Sequence, residues 1–190
     1  MRRAGFVLGG TMHQASVAYT PAARILHWIT ALLVIGLIVV GIVMGNMASG
    51  PLQDRLYNLH RSTGALVLVL AIIRLGYRLT HPPLPLPAHM AASQRLAAES
   101  MHWCLYILLI VQPLIGWAAT SAYRAPIIVY GLFELPPILP VNQPLSEQLF
   151  FVHRGLGFVM AALVLGHAGA ALHHHFIKRD RVLMRMISGG

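Results

Sequence analysis

Two histidines stand fourteen residues apart in the last long apolar run of the chain, LFFVHRGLGFVMAALVLGHAGAALHHHFI between Leu149 and Ile177. Fourteen residues is close to four helical turns, so His153 and His167 share one stripe of a helix, roughly 21 Å apart along its axis. The hydrocarbon core of a bilayer is about 30 Å thick, which places one imidazole in each half of it. Ionisable side chains are costly at that depth and mark sites where a partner meets them. An imidazole offers metal ligation or proton transfer. The chain holds eleven histidines but only one cysteine, Cys104. A lone thiol excludes an internal disulfide, a thiolate-held iron–sulfur cluster and C-x-x-C-H cofactor attachment.

The elements that must position these rings are membrane helices. Of 190 residues, 57% are hydrophobic and only 10% charged. Several apolar runs are long enough to cross a bilayer, and they far exceed the length of barrel strands. The expected fold is an all-α integral membrane protein, a four-transmembrane-helix bundle, with helices over about 21–47, 55–79, 93–122 and 149–177. Residues 1–20 form an N-terminal segment, 21–178 the transmembrane domain and 179–190 a basic tail. The run GFVLGG is too short for the core of a signal peptide, and Met12 is a second candidate start beside Met1. Ala48–Asp54 reads as a short loop with a Ser-Gly-Pro turn, and HPPLPLPA from His81 to Ala88 as a stiff extended connector. Pro113 predicts a kink in the third helix. Residues 123–146, containing YGLFELPPILP, read as a long connection at the membrane surface.

Basic residues orient the bundle. With the N-terminus inside, ten of the fourteen Lys and Arg fall on the inner side, and only Arg55, Arg61, Arg124 and Arg154 on the outer. Both termini are therefore expected in the cytoplasm. The net charge of +9 is a topology signal rather than a nucleic-acid footprint, with affinity for anionic lipid headgroups as a by-product.

Orientation sorts the buried histidines by depth. His27 lies near the inner end of the first helix and His60 near the outer end of the second, so His60 faces His153 and His27 faces His167. Two imidazoles across a gap between helices suit six-coordinate haem iron, the porphyrin supplying the other four nitrogens. Zinc or copper recruits further side chains, and the one acidic residue within an expected span, Glu99, sits near the inner end of the third helix rather than at its middle. Gly64 and Gly157 follow His60 and His153 by one turn, and Gly166 and Gly169 flank His167. They give a flat ring room beside the helix, or allow close helix packing.

Arginines recur at the same depths. Arg61 and Arg154 each follow an outer histidine, where haem propionates or lipid phosphates are candidate partners. Arg24 precedes His27 by one turn, and Arg74 lies on the face of His60 at the inner pair's depth. Arg74 reads as a charge partner of the inner haem or a quinone contact, whereas Arg78 reads as a snorkelling side chain. His102 opens the third helix at the inner depth, as a quinone contact or an interfacial histidine. His13, His81 and His89 read as solvated loop residues. His173, His174 and His175 sit at the inner boundary, as interfacial contacts or a proton relay.

Several blocks in order resemble the bacterial cytochrome b561 family, four-helix dihaem membrane cytochromes. They are YTPAARILHW at Tyr19–Trp28, NLHRSTG at Asn58–Gly64 with Arg74 beyond it, QPLIGW at Gln112–Trp117 and GLFELP at Gly131–Pro136. The block from His153 through HHHFIKRD completes the set. The resemblance implies two haem b groups ligated by His27, His60, His153 and His167. It also implies a bacterial inner-membrane location and a quinone-linked electron carrier. A member of that family oxidises superoxide at the outer face while reducing ubiquinone, so superoxide or a periplasmic electron-transfer protein is the expected donor.

Two other functions compete. The first is a membrane anchor that relays electrons from a soluble dehydrogenase to quinone, against which the short outer loops count. The second is a histidine-lined metal-ion transporter, against which the lack of carboxylates at the middle of the spans and of broken-helix repeats counts.

Overall fold

In a computed structural model, described for residues 19–82 and 90–188, the chain is a four-helix membrane bundle. The expectations for His13, His89, the start site and most of the proline connector lie outside the described residues. Helix α1 spans Pro21–Asn46, α2 Pro51–Thr80, α3 Ala92–Tyr123 and α4 Gln143–His173. Each is long and apolar enough to cross a membrane. Their large hydrophobic side chains, among them Leu32, Val69, Ile107 and Leu165, point outward, as a lipid solvent permits.

Two helices begin earlier than the sequence suggests, for one reason. Proline has no N–H and a fixed φ, which suits it to a first helical turn. Pro51 and Pro144 therefore start α2 and α4 rather than end loops. The expected loop at Ala48–Asp54 shrinks accordingly. The Gln53 amide then donates to the carbonyls of Met44 (2.9 Å) and Met47 (3.4 Å), closing the end of α1. Asn142 caps α4, its side chain accepting from Leu145 N–H. At its other end α4 passes into a π-helical turn, His174–Lys178, so only the last few residues of the expected helix leave α geometry. α3 runs through Pro113 as one helix.

The connection after α3 is more ordered than its prolines suggest. Strands β1 (Ile127–Val129) and β2 (Phe133–Leu135) pair antiparallel. Tyr130 and Gly131 both take positive φ, 49° and 76°, as a type I′ hairpin turn requires. The hairpin sits on α2, where Ser62 Oγ donates to Ile128 O (3.0 Å) and accepts from Tyr130 N–H (3.1 Å). The Thr63 and Tyr130 hydroxyls are 3.0 Å apart. Ser62 is 2% exposed, so Ser62→Ala leaves a part-buried carbonyl and amide without their partner. Such a loss costs about 1–3 kcal/mol. Faster hydrogen exchange at the Tyr130 amide, with the helices unaffected, is the expected readout.

α1 packs on α2, and α3 on both α2 and α4, whereas α4 meets α1 at few points and α2 at fewer still. The buried cluster of Val34, Val67, Ala71, Leu108, Leu109 and Met160 fills the middle of the bundle. Met160 lies midway between His153 and His167 on α4, and Val67 midway between His60 and Arg74 on α2. The apolar core thus separates two polar levels, one at the hairpin end and one at the end nearest both termini.

Candidate cofactor sites

At the hairpin end, α2 and α4 bring His60 and His153 together with ring centroids 6.1 Å apart and planes at 80°. At the terminal end, His27 of α1 and His167 of α4 stand 6.2 Å apart at 60°. A ligating imidazole nitrogen lies about 2 Å from its metal and the ring centre roughly 1 Å beyond, so rings on opposite sides of one iron are about 6 Å apart. Both pairs match that separation. Among the described residues no group of three or more His, Cys, Asp or Glu converges as a metal-ion cage would. The structure therefore pairs the four histidines as their depths suggest, and the two pairs sit where α4 stands off from α1 and α2.

The hairpin-end rings are seated on glycines of neighbouring helices. A Cβ at Gly116 of α3 would lie 3.0 Å from His153 Cε1, and one at Gly41 of α1 would lie 3.3 Å from His60 Cε1. His153 Nδ1 is 3.1 Å from the Gln112 carbonyl, which can only accept, so Nδ1 carries the proton. The Gln112 side-chain amide donates in turn to the His153 carbonyl at 2.7 Å. His60 Nδ1 is buried without a hydrogen-bond partner. The glycines singled out by sequence behave differently. Gly157 makes room for the Gln112 amide and Gly166 faces Met101, while Gly64 and Gly169 meet only open space.

At the terminal end the structure gathers Arg74 and His102 onto the second pair. Arg74 Nη2 donates to His27 Nδ1 at 2.8 Å, and its guanidinium lies over the Tyr106 ring. His102 stands edge-on to His167, 5.2 Å between centroids. Arg78 is less peripheral than its place in α2 suggests, since it lies over Trp103 and Tyr106. Tyr19, just ahead of α1, has its phenol pKa raised by burial, an effect that Arg78 and Arg185 oppose. Trp28 packs on His27 and donates through Nε1 to Met186 O, tying the short helix α5 (Met184–Ile187) across this end. His174 binds Asp180 at 2.5 Å, which anchors the tail to the end of α4. His81 stacks on Tyr77.

The other arginines are more dispersed. Arg61 lies over Tyr57 and reaches Pro126 O at 3.4 Å, so the structure engages it with the hairpin connection. Arg154 is exposed, and Arg24 is half-buried one turn before His27. Sequence reasoning missed Gly41, Gln112, Gly116 and Tyr106. Tyr106 had a signal, being one turn from His102 on the same face.

A family model described as prokaryotic cytochrome b561 matches residues 18–189. The chain belongs to that family. It is 32% identical over 166 residues to "Cytochrome b561 homolog 2" of Escherichia coli K12, covering 85% of this chain and 86% of the relative. It is equally 32% identical over 163 residues to "Probable superoxide oxidase CybB" of Yersinia pestis, covering 85% and 91%. "Cytochrome b562" of Cereibacter sphaeroides matches at 26% over 186 residues, covering 89% and 94%. As a cytochrome b561 family member the protein is a bacterial membrane electron-transfer protein with b-type haem.

Proposed function

We propose that this cytochrome holds two haem b groups and passes single electrons across the inner membrane, from a periplasmic donor to ubiquinone. The observation that carries the reading is the pair of histidine couples, 6.1 and 6.2 Å apart, at opposite ends of one apolar core. Both termini lie on the cytoplasmic side in this reading, so the hairpin end faces the periplasm. His60 and His153 would hold the outer haem, and His27 and His167 the inner. When bound, such groups supply one-electron chemistry with no open coordination position.

The residues around them do the rest. Val34, Val67, Ala71 and Met160 keep water from the space between the two levels. The hairpin on Ser62 lies at the outer level, where Arg61, Arg124 and Arg154 make the surface attractive to an anion. Superoxide is accordingly the donor proposed, in line with the Yersinia relative's name. At the inner level His27 would hold the haem through Nε2 with its proton on Nδ1, and Arg74, now hydrogen-bonded to that Nδ1, would meet an anionic edge of haem or quinone. Arg24 and Arg154 serve as propionate contacts, and His102 as a quinone contact.

The test is a reduced-minus-oxidised visible spectrum with haem per chain quantified. Two low-spin b haems per chain are expected. A single haem, or high-spin bands, would overturn the two-site assignment.

A further inference from the structure

The His153 ring is held from one side by a single stretch of α3. In a helix each side chain leans toward the N-terminus and covers the turn before its own Cα. A glycine at position 116 therefore uncovers the carbonyl one turn earlier, at Gln112, to a group approaching from the side. That carbonyl takes the His153 Nδ1 proton at 3.1 Å, while the space a Cβ would fill at Gly116 is occupied by the ring's Cε1 edge. The Gln112 side chain then returns a second bond, 2.7 Å, to the main chain of His153 itself. Gly157, one turn beyond His153, leaves space for that amide.

We infer that Gln112 and Gly116 form an orienting seat for His153, fixing its proton on Nδ1 and presenting Nε2 as the free nitrogen. The inference rests on the reading of His153 as an axial ligand. Both α3 residues act on the ring and main chain of His153, and are positioning residues. A neutral imidazole is a ligand only through the nitrogen without a proton, and the hydrogen bond made by the other nitrogen selects it. A carbonyl accepting from Nδ1–H also makes the ring a stronger donor, which favours the oxidised metal and lowers its potential. His60 is placed differently. Gly41 on α1 repeats the glycine contact, and the Leu37 carbonyl one turn before it lies near the ring, but His60 Nδ1 forms no hydrogen bond to match that of His153. The two rings of one pair are thus held unequally, and the firmer hold is on His153.

The holoprotein tests this by low-spin ferric EPR and a redox titration, neither of which reads turnover. Two signals in the parent protein, reduced to one in His153→Ala, establish the ligand reading; without that outcome the seat has no ligand to orient and falls with it. Given two signals, Gln112→Met keeps the backbone carbonyl but removes the amide bond that holds His153 against it. A loosened Nδ1 hydrogen bond is then expected to shift the g values of the signal that His153→Ala removes and to raise its midpoint potential. The other haem should keep both. Gly116→Ala presses on the ring from the same side and should move the same signal even if Gln112→Met fails to accumulate. A merely structural contact between α3 and α4 would alter stability or yield without moving one haem's g values. Unchanged g values and potential in the variants that fold, with two haems present, would overturn the seat.

Discussion

His153→Ala is expected to yield a protein with one haem in place of two, and His60→Ala the same one. The reason is geometric. His60 and His153 face each other across 6.1 Å, while His27 and His167 face each other at the opposite end of the bundle. Among the described residues the buried core between them is the apolar cluster around Val67 and Met160, so neither pair can borrow a ring from the other. Either substitution should therefore leave the second haem's spectrum and midpoint intact. His27→Ala should produce the complementary single-haem protein. Quantified haem, with redox titration of each variant, decides the matter. Loss of both haems from a variant that still folds would contradict the pairing by depth.

Arg74→Leu is expected to lower the midpoint potential of the terminal-end haem and leave the other near its parent value. Arg74 is the charged group hydrogen-bonded to His27, held at membrane depth over Tyr106. A unit charge about 8 Å from a redox centre changes its energy by about 2 kcal/mol at an effective dielectric of about 20. For one electron that is roughly 90 mV. The sign follows from charge: a nearby cation favours the reduced form, so its removal lowers the potential. Arg74→Lys keeps the charge and should restore most of the shift. If the lysine variant behaves like the leucine one, the guanidinium acts through its geometry instead.

The four-helix fold was legible because hydropathy and length speak directly to membrane spans, and the pairing because helix direction and a fourteen-residue spacing convert to depth. The helix starts were misread where Pro51 and Pro144 looked like loop residues, since proline punctuates loops and opens helices alike. The hairpin went unseen because its turn needs Tyr130 at positive φ, for which a tyrosine is a poor advertisement. The seats of His60 and His153 were hidden for a different reason. Sequence spacing points to glycines on the histidines' own helices, Gly64 and Gly157, whereas the ones that receive the rings, Gly41 and Gly116, are on the helices next door. Which face of α3 meets α4 depends on packing between segments, and no spacing within one segment encodes it.

Helix α4 stands apart from α1 and α2, yet carries one member of each histidine pair. In the proposed holoprotein the prosthetic groups are therefore rivets joining α4, already docked on α3, to the first helical hairpin. Biogenesis follows from this. Two hairpins can enter the bilayer separately and meet there, but their final locking waits on haem. A cell short of haem would hold a loosely joined form exposed to membrane proteases, so the abundance of this protein should track haem supply rather than its own rate of synthesis.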